Sequence, residues 1–204
     1  GGVGAPFQTA NNLRGVQQVL EDMIERPHLV HRLMEFVVRA TLEHAAQVRV
    51  YQESQKAGGG VFGCAGVFGC DEVSCDMFPP SFYDEFVHPY EMRVAHLYDS
   101  IYYHSCADIT ALYPKIMKIP NMRKVQVSPF SNLKTAIEIA QGKMILEYWV
   151  NQTLDLDSYS REEMRAYVRQ VTDLGTDYPL GMLVLTQTPG GKLYRDVFYE
   201  EIGA

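Results

Sequence analysis

Several features that would assign a protein class are missing from this sequence. No hydrophobic run approaches the roughly 18 residues of a membrane-spanning helix, so a helical membrane protein is excluded. The 18 basic residues are outnumbered by 25 acidic ones, and a formal charge of −7 argues against general nucleic-acid binding. The chain starts Gly-Gly-Val and shows no signal peptide, so we expect a processed start or a piece of a longer protein.

Cysteine is scarce, and its spacing is not that of a disulfide scaffold. There are four cysteines, Cys64, Cys70, Cys75 and Cys106, and none belongs to a Cys-x-x-Cys pair. We therefore expect reduced thiols and a cytoplasmic location. The sequence also lacks Gly-x-Gly-x-x-Gly, a P-loop, Gly-x-Ser-x-Gly and His-Glu-x-x-His, which weighs against nucleotide binding, serine hydrolysis and a helical zinc motif.

What is present indicates a globular α/β protein. The 204 residues are 47% hydrophobic and 21% charged, which suits one domain with a sizeable core. Short apolar strands alternate with amphipathic helices, a pattern that predicts parallel βαβ units. The predicted strands are residues 3–9, 67–75, 99–104, 123–128, 143–150 and 180–187. The predicted helices are 13–26, 27–54, 80–97, 107–118, 131–141 and 160–174, the last opened by a capping box of Ser160 and Glu163.

About six strand-helix units fit two architectures. One is an open doubly wound sheet, and the other is a (β/α)8 barrel from which two units are missing, since such barrels typically need roughly 250 residues. Periodicity alone leaves both open. In either, ligands bind at the carboxyl ends of the parallel strands.

The residues at the predicted strand ends are polar, and several of them are acidic. We expect catalytic roles for Glu72, His104 and Glu147 at these ends. Glu147 interrupts an apolar strand, so it either faces a polar site or pairs with a lysine or arginine inside the sheet. The expected substrate-binding residues are Gln8, Asp71, Asp76, Gln126, Asn151 and Gln187.

His104-Ser105-Cys106 is the sharpest local motif. Residues i and i+2 of a strand point the same way, so His104 and Cys106 would both face the mouth of the site. Imidazole and thiolate are preferred zinc ligands, and a catalytic zinc needs three protein ligands and an open position. A third ligand would come from another strand end, with Cys75, Glu72 and Glu147 as candidates. The alternative is a hydrogen-bonded histidine beside a half-buried thiol.

Three segments resemble the uroporphyrinogen decarboxylase-like superfamily. They are residues 12–32 (NLRGVQQVLEDMIERPHLVHR), 70–90 (CDEVSCDMFPPSFYDEFVHPY) and 102–107 (YYHSCA). The last is similar to the family's His-Ser-Cys-Gly strand end, with Ala107 in place of glycine. The resemblance implies a (β/α)8 barrel, with this chain as a single domain over 1–204 that lacks the N-terminal units.

The resemblance implies two activities. One branch decarboxylates uroporphyrinogen without metal or cofactor. The other consists of corrinoid-dependent methyltransferases, in which His-x-Cys and a distant cysteine hold zinc. The match to His104 and Cys106 favours the methyltransferase branch, although the distant cysteine would fall near Thr186 or Gln187, where the sequence has none. The carboxylates at the strand ends weigh against a polycarboxylate substrate, which needs arginine and lysine around it.

These observations leave three hypotheses. The first is a methyltransferase-like barrel with a small-molecule substrate, zinc held by His104, Cys106 and Cys75, a corrinoid protein as partner and a homodimeric assembly. The second is a metal-free decarboxylase of uroporphyrinogen or a related carboxylate. The third is a non-catalytic barrel that binds a ligand or partner, suggested by the departures at Ala107 and Thr186. None of the three involves nucleic acid or a membrane.

Overall fold

A computed structural model describes residues 5–56, 65–151, 153–175, 182–185 and 191–202. Within these ranges the chain forms five strands, β1 (Ala65–Phe68), β2 (Ser100–Tyr103), β3 (Met122–Val127), β4 (Ile145–Trp149) and β5 (Met182–Leu185). The α-helices of the same ranges are α1 (Pro6–Arg14), α2 (Val16–Glu25), α3 (Pro27–Lys56), α4 (Pro80–Phe82), α5 (His88–Val94), α6 (Tyr113–Ile116), α7 (Leu133–Ala140), α8 (Arg161–Gly175) and α9 (Gly191–Ile202). None of these helices is both long and apolar enough to cross a bilayer.

The strand order decides between the two architectures that the sequence left open. All neighbouring strands pair in parallel. They lie in the order β1-β2-β3-β4-β5. A doubly wound sheet reverses its strand order at one point, whereas a barrel adds each strand beside the previous one. The chain therefore forms part of a (β/α)8 barrel.

The two faces of the sheet carry different side chains. On the outer face, Tyr103, Val125 and Leu146 are fully buried beneath the helices and belong to the main hydrophobic core. On the inner face, Lys124 and Glu147 form an ion pair with an Nζ–Oε1 distance of 3.0 Å. Because side chains alternate along each strand, this division carries the strand-end residues on the inner face towards the mouth of the barrel.

Two of the described helices, α7 and α8, begin at residues whose side chains cap them. The predicted capping box is confirmed, since the Ser160 amide donates to Glu163 Oε2 at 2.8 Å and the Glu163 amide donates to Ser160 Oγ at 3.3 Å. At α7 the Asn132 side chain accepts a hydrogen bond from the Thr135 amide. These caps satisfy amides that the first helical turn leaves without partners.

The predicted first strand, residues 3–9, is wrong for the residues that the structure describes. Pro6 opens α1, and proline is favoured at a first helical position because its fixed φ suits the helix. Phe7 and Ala10 are fully buried three residues apart, which is helical rather than strand spacing. Gln8 is therefore an exposed residue of α1 and does not lie at a strand end.

The segment after β1 is helical from Pro80 to Leu97, as predicted, but it contains a π-helical turn over Tyr83–Val87. Beyond this turn lies Glu91, a carboxyl group that is completely buried behind the sheet. The Tyr83 hydroxyl donates to Glu91 Oε2 at 2.9 Å. Burial raises the pKa of Glu91 to about 7, and the hydrogen bond from Tyr83 only partly opposes this.

This buried carboxyl predicts a pH-dependent stability. Between its ordinary pKa of 4.5 and its folded value of about 7, the unfolded chain releases the Glu91 proton while the folded chain keeps it. The contribution of Glu91 to the free energy of unfolding is therefore highest below pH 4.5 and falls as the pH rises through that window. We expect Glu91→Gln to be more stable than the unchanged chain at pH 8 by on the order of 3 kcal/mol, with little difference at pH 4.5.

Urea unfolding of both proteins at pH 4.5 and pH 8 measures this difference. Glu138→Gln is the matched control, because Glu138 is exposed on α7 and its substitution should leave the pH dependence unchanged. A stability gap for Glu91→Gln that is the same at both pH values would contradict the assignment.

Candidate metal centre

Three potential metal ligands meet where β1 and β2 end. His104 Nε2 lies 3.3 Å from Asp71 Oδ1 and 3.8 Å from Cys106 Sγ. The ligand atoms of all three residues lie within 4.8 Å of one another. We refer to Asp71, His104 and Cys106 as the donor group. It forms because β1 and β2 pair in parallel, so that the segments following both strands leave the sheet at the same edge.

A glycine allows the two strand ends to come together. Gly69 follows β1 with φ +73°, a conformation that other residues rarely adopt. A Cβ atom at this position would lie 2.3 Å from the His104 carbonyl oxygen. The His104 amide donates to the Phe68 carbonyl at 2.8 Å, which continues the pairing beyond the strands. The chain then turns and carries Asp71 to the donor group.

The electrostatics of the donor group favour a bound cation. Burial raises the pKa of the Cys106 thiol, and the neighbouring Asp71 carboxylate raises it further. Asp71 Oδ1 also accepts a hydrogen bond from the Cys106 amide at 3.1 Å, which holds the carboxylate beside the thiol. A carboxylate and a thiol are therefore held side by side, and a cation between them would stabilise the thiolate.

The donor set and its spacing suit zinc. Imidazole nitrogen, thiolate sulfur and carboxylate oxygen are all zinc ligands. Bond lengths near 2.0–2.3 Å in a tetrahedral site imply ligand-to-ligand separations of about 3.5 Å. Two of the three separations in the donor group, 3.3 Å and 3.8 Å, bracket that value, and the third lies within 4.8 Å. Three protein ligands leave a fourth position for a substrate or water, which is the composition of a catalytic zinc site.

A second layer of side chains holds the donor group. Gln126 is fully buried, and its Nε2 lies 3.9 Å from Cys106 Sγ while its Oε1 accepts a hydrogen bond from the Tyr102 hydroxyl at 3.0 Å. The ring of Trp149 packs against that of His104, with centroids 5.7 Å apart. These contacts fix the orientation of the His104 and Cys106 side chains, as second-layer partners do in metal sites.

Comparison with known proteins places the chain in a family. Residues 1–184 match the family model described as "Uroporphyrinogen decarboxylase (URO-D)". The chain belongs to the uroporphyrinogen decarboxylase family. The resemblance carried by the three sequence segments is thereby confirmed.

A solved structure supports the fold assignment of this family member. It is described as a methyltransferase from Methanosarcina mazei, and it superposes with a TM-score of 0.69 at 15% identity. The match covers 100% of this chain and 58% of that chain. The chain therefore spans little more than half of that protein, and the likeness shows a shared fold. No curated protein sequence matches the chain.

Cys75 is the expected ligand that the structure places elsewhere. It is half-buried after β1, and its amide donates to the Asp108 carbonyl at 2.8 Å. Its thiol lies against the Ala111 amide, and burial raises its pKa. This arrangement directs Cys75 to the helical turn that follows β2 instead of the donor group. Asp71, expected to bind substrate, is the third member of the donor group.

Glu147 forms an ion pair inside the sheet, which was the alternative to facing a polar site. Its side chain is 5% exposed and receives a hydrogen bond from Lys124 Nζ. The same Nζ lies 4.0 Å from the centre of the Tyr102 ring, so the cation also contacts an aromatic face. Glu147 is thus held below the donor group and is not free at the mouth of the barrel, where we expected a catalytic carboxylate.

The structure brings together some of the remaining predicted residues and separates others. Gln126 contacts the donor group through Cys106, and Asn151 lines a cleft beside it. Glu72 interacts with the thiol of Cys70, away from the ligand atoms, and Asp76 is exposed. Gln187 lies outside the described residues.

The sequence reasoning placed Trp149 at a strand end with Glu147 but gave it no role, although the period of two puts both residues on the same face of β4. It expected Asp71 to bind substrate and did not include it among the metal ligands. The position of Asp71 beside His104 depends on the turn at Gly69, for which the sequence showed no more than a glycine after a strand.

The Lys124–Glu147 pair predicts strong coupling between the two residues. Lys124→Met should lower the free energy of unfolding by about 3 kcal/mol, because it leaves the Glu147 carboxylate buried without its cationic partner. The double variant Lys124→Met/Glu147→Leu should recover most of that loss, since no uncompensated charge remains. Urea unfolding of the single and double variants measures the coupling, and additive losses would show that the pair does not act as a unit.

Proposed function

We propose that this chain is a methyltransferase-like barrel enzyme whose donor group holds zinc and which moves a methyl group between a corrinoid and a thiol. The observation that carries the proposal is the convergence of Asp71, His104 and Cys106 at the ends of two neighbouring barrel strands. Family membership and the methyltransferase neighbour support the choice of chemistry. The proposal keeps His104 and Cys106 in their expected roles and exchanges Cys75 for Asp71.

Zinc bound by these residues would lower the pKa of a substrate thiol and make its thiolate available near neutral pH. Atoms and electrons balance in this methyl transfer. The thiol releases its proton to solvent, a sulfur lone pair forms the new S–C bond, and the electron pair of the broken bond stays with the methyl donor. The protein would contribute by positioning: Asp71, His104 and Cys106 would hold the ion, while Gln126 and Trp149 fix the orientation of His104 and Cys106.

The wider features of the proposal remain predictions for the whole protein. A small molecule would supply the thiol, and a corrinoid protein would present the methyl group at the barrel mouth. A single barrel domain, a homodimeric assembly and a cytoplasmic location are the accompanying expectations.

Decarboxylation of uroporphyrinogen or a related carboxylate is the second candidate, because the family bears that description. Such a substrate needs cations around its acid groups. Lys124, the basic residue described on the inner face, is paired with Glu147 and is therefore already neutralised. This pairing favours the methyltransferase proposal. Release of carbon dioxide from uroporphyrinogen by the purified protein would favour the decarboxylase over the methyltransferase. Binding of a ligand without turnover would favour the third hypothesis, a non-catalytic binding barrel.

Metal analysis tests the proposal first. The protein purified without chelator should contain about one zinc per chain, which is the content of a catalytic site with three protein ligands. Cys106→Ser and His104→Ala should abolish that content, and Asp71→Asn should weaken zinc binding at least about tenfold, because each removes a ligand or its charge. Plasma emission spectrometry and competition with a colorimetric chelator measure content and affinity.

Cys75→Ser is the matched control. Cys75 is another half-buried cysteine near the same strand end, but its thiol lies outside the donor group. We expect this variant to keep its zinc. Wild-type protein that binds no zinc, or a Cys75→Ser variant that loses as much as Cys106→Ser, would refute the proposed centre.

A further inference from the structure

Glu91 is a fully buried carboxyl group that has no part in the proposed function. It lies on α5 behind the sheet, whereas the donor group lies at the carboxyl edge of the strands. Two neutral donors face its carboxyl group: the Tyr83 hydroxyl, 2.9 Å from Oε2, and the backbone amide of Gly69. Gly69 is also the residue at which the chain turns towards Asp71, so Glu91 contacts the turn on which the donor group depends.

The surroundings of Glu91 are unfavourable for a carboxyl group. The polar groups that act on it belong to Tyr83, Tyr103 and Gly69, and none of them is cationic. A carboxyl group buried without a cation loses its hydration for little in return, and an apolar side chain of similar volume is often as stable in such a place. Packing therefore does not require a glutamate here, and its hydrogen bonds are what distinguish it from an apolar residue.

The Gly69 amide depends on Glu91 for an acceptor. The pairing of the two strand ends uses the Phe68 carbonyl and the His104 amide, and among the described residues no main-chain carbonyl accepts from Gly69. Gly69 is buried, and a buried amide without an acceptor is unfavourable. Since glycine tolerates a wide range of backbone dihedrals, loss of this acceptor would let the peptide rotate towards another partner.

A rotation at Gly69 would act directly on Asp71, which follows two residues later. The Asp71 carboxylate accepts from the Cys106 amide at 3.1 Å and lies 3.3 Å from His104 Nε2. Its side chain is 64% exposed, so the packing around it does not fix its place. The backbone turn does, and Glu91 holds that turn from behind.

We propose that Glu91 is a positioning residue of the donor group, because its carboxyl oxygens hold the Gly69 turn and so place Asp71. The inference rests on the proposed function for the metal, whereas the placement of Asp71 is a property of the chain without metal. Glu91 contacts no member of the donor group itself and acts through the backbone.

The Cys106 amide reports the position of Asp71 when no metal is bound. An amide proton that is hydrogen-bonded to a carboxylate resonates downfield of a free one, and this amide donates to Asp71 Oδ1. We would record its shift by NMR in chelator-treated protein and in two Glu91 variants. Glu91→Met keeps the length of the side chain and removes both acceptor oxygens, while Glu91→Gln keeps one acceptor oxygen.

We expect Glu91→Met to move the Cys106 amide proton upfield, towards its position in Asp71→Ala, and to weaken zinc binding about tenfold. Glu91→Gln should restore both readouts to those of the unchanged chain, because its amide oxygen still accepts a hydrogen bond. A Cys106 amide that keeps its shift in Glu91→Met would overturn the inference. So would a Glu91→Gln variant that fails to restore it.

Two controls separate positioning from a general loss of stability. Met164→Ala removes a fully buried side chain from the second hydrophobic cluster, on α8, so it should lower stability without moving the Cys106 amide. The Thr110 amide, which donates to Asp108 Oδ1 at 2.8 Å, is the internal reference and should keep its shift in every variant. An equal change of the Cys106 amide in Met164→Ala would refute the positioning role.

A second variant covers the case in which Glu91→Met does not fold. Tyr83→Phe removes only the hydroxyl that orients the Glu91 carboxyl group. It should move the Cys106 amide in the same direction by a smaller amount, and an unmoved amide there would equally overturn the inference.

The NMR readout keeps this test separate from the zinc test. A Cys106 shift that depends on Glu91, in a protein that never binds zinc, would support the positioning role and refute the proposed metal centre. Zinc binding that is as tight in Glu91→Met as in the unchanged chain would refute the positioning role and leave the metal centre supported.

Discussion

The close passage of Gly69 past the His104 carbonyl is the constraint on which the site depends. At that separation no side chain fits between the two strand ends, and the positive φ of Gly69 turns the chain towards the edge of the sheet. The turn presents Asp71 Oδ1 to the Cys106 amide as well as to the His104 ring. One backbone approach therefore brings together a carboxylate, an imidazole and a thiol from two separate segments.

The same strand ends are supported from both faces of the sheet. Behind it, the Tyr103 hydroxyl lies 3.4 Å from that of Tyr83, which in turn donates to the buried Glu91 carboxyl. In front of it, Gln126 and Trp149 contact the side chains of the donor group. Such support matters for chemistry, because ligands that are held before substrate arrives need no costly rearrangement when it binds.

The donor group also shows how this chain differs from what its family resemblance implied. The resemblance implied a distant cysteine as the third partner of His-x-Cys, whereas the described residues bring a carboxylate from the neighbouring strand end beside His104 and Cys106.

Local patterns were enough to locate four of the strands and most of the helices, whereas the predicted strand 67–75 overlaps β1 only in part, because β1 ends at Phe68. The Ser160–Glu163 capping box and the shared face of His104 and Cys106 depend on residues a few positions apart, so the sequence alone determines them. Residues 3–9 misled the same reasoning because a short apolar segment suits a strand or a helix, and the buried contacts of Phe7 decided for α1. Strand order, the position of Asp71 beside His104 and Cys106, and the pairing of Glu147 with Lys124 were settled only by the tertiary structure. Each of these depends on which distant segments become neighbours, and that is determined by packing and strand pairing across the whole sheet and not by the pattern within any one segment.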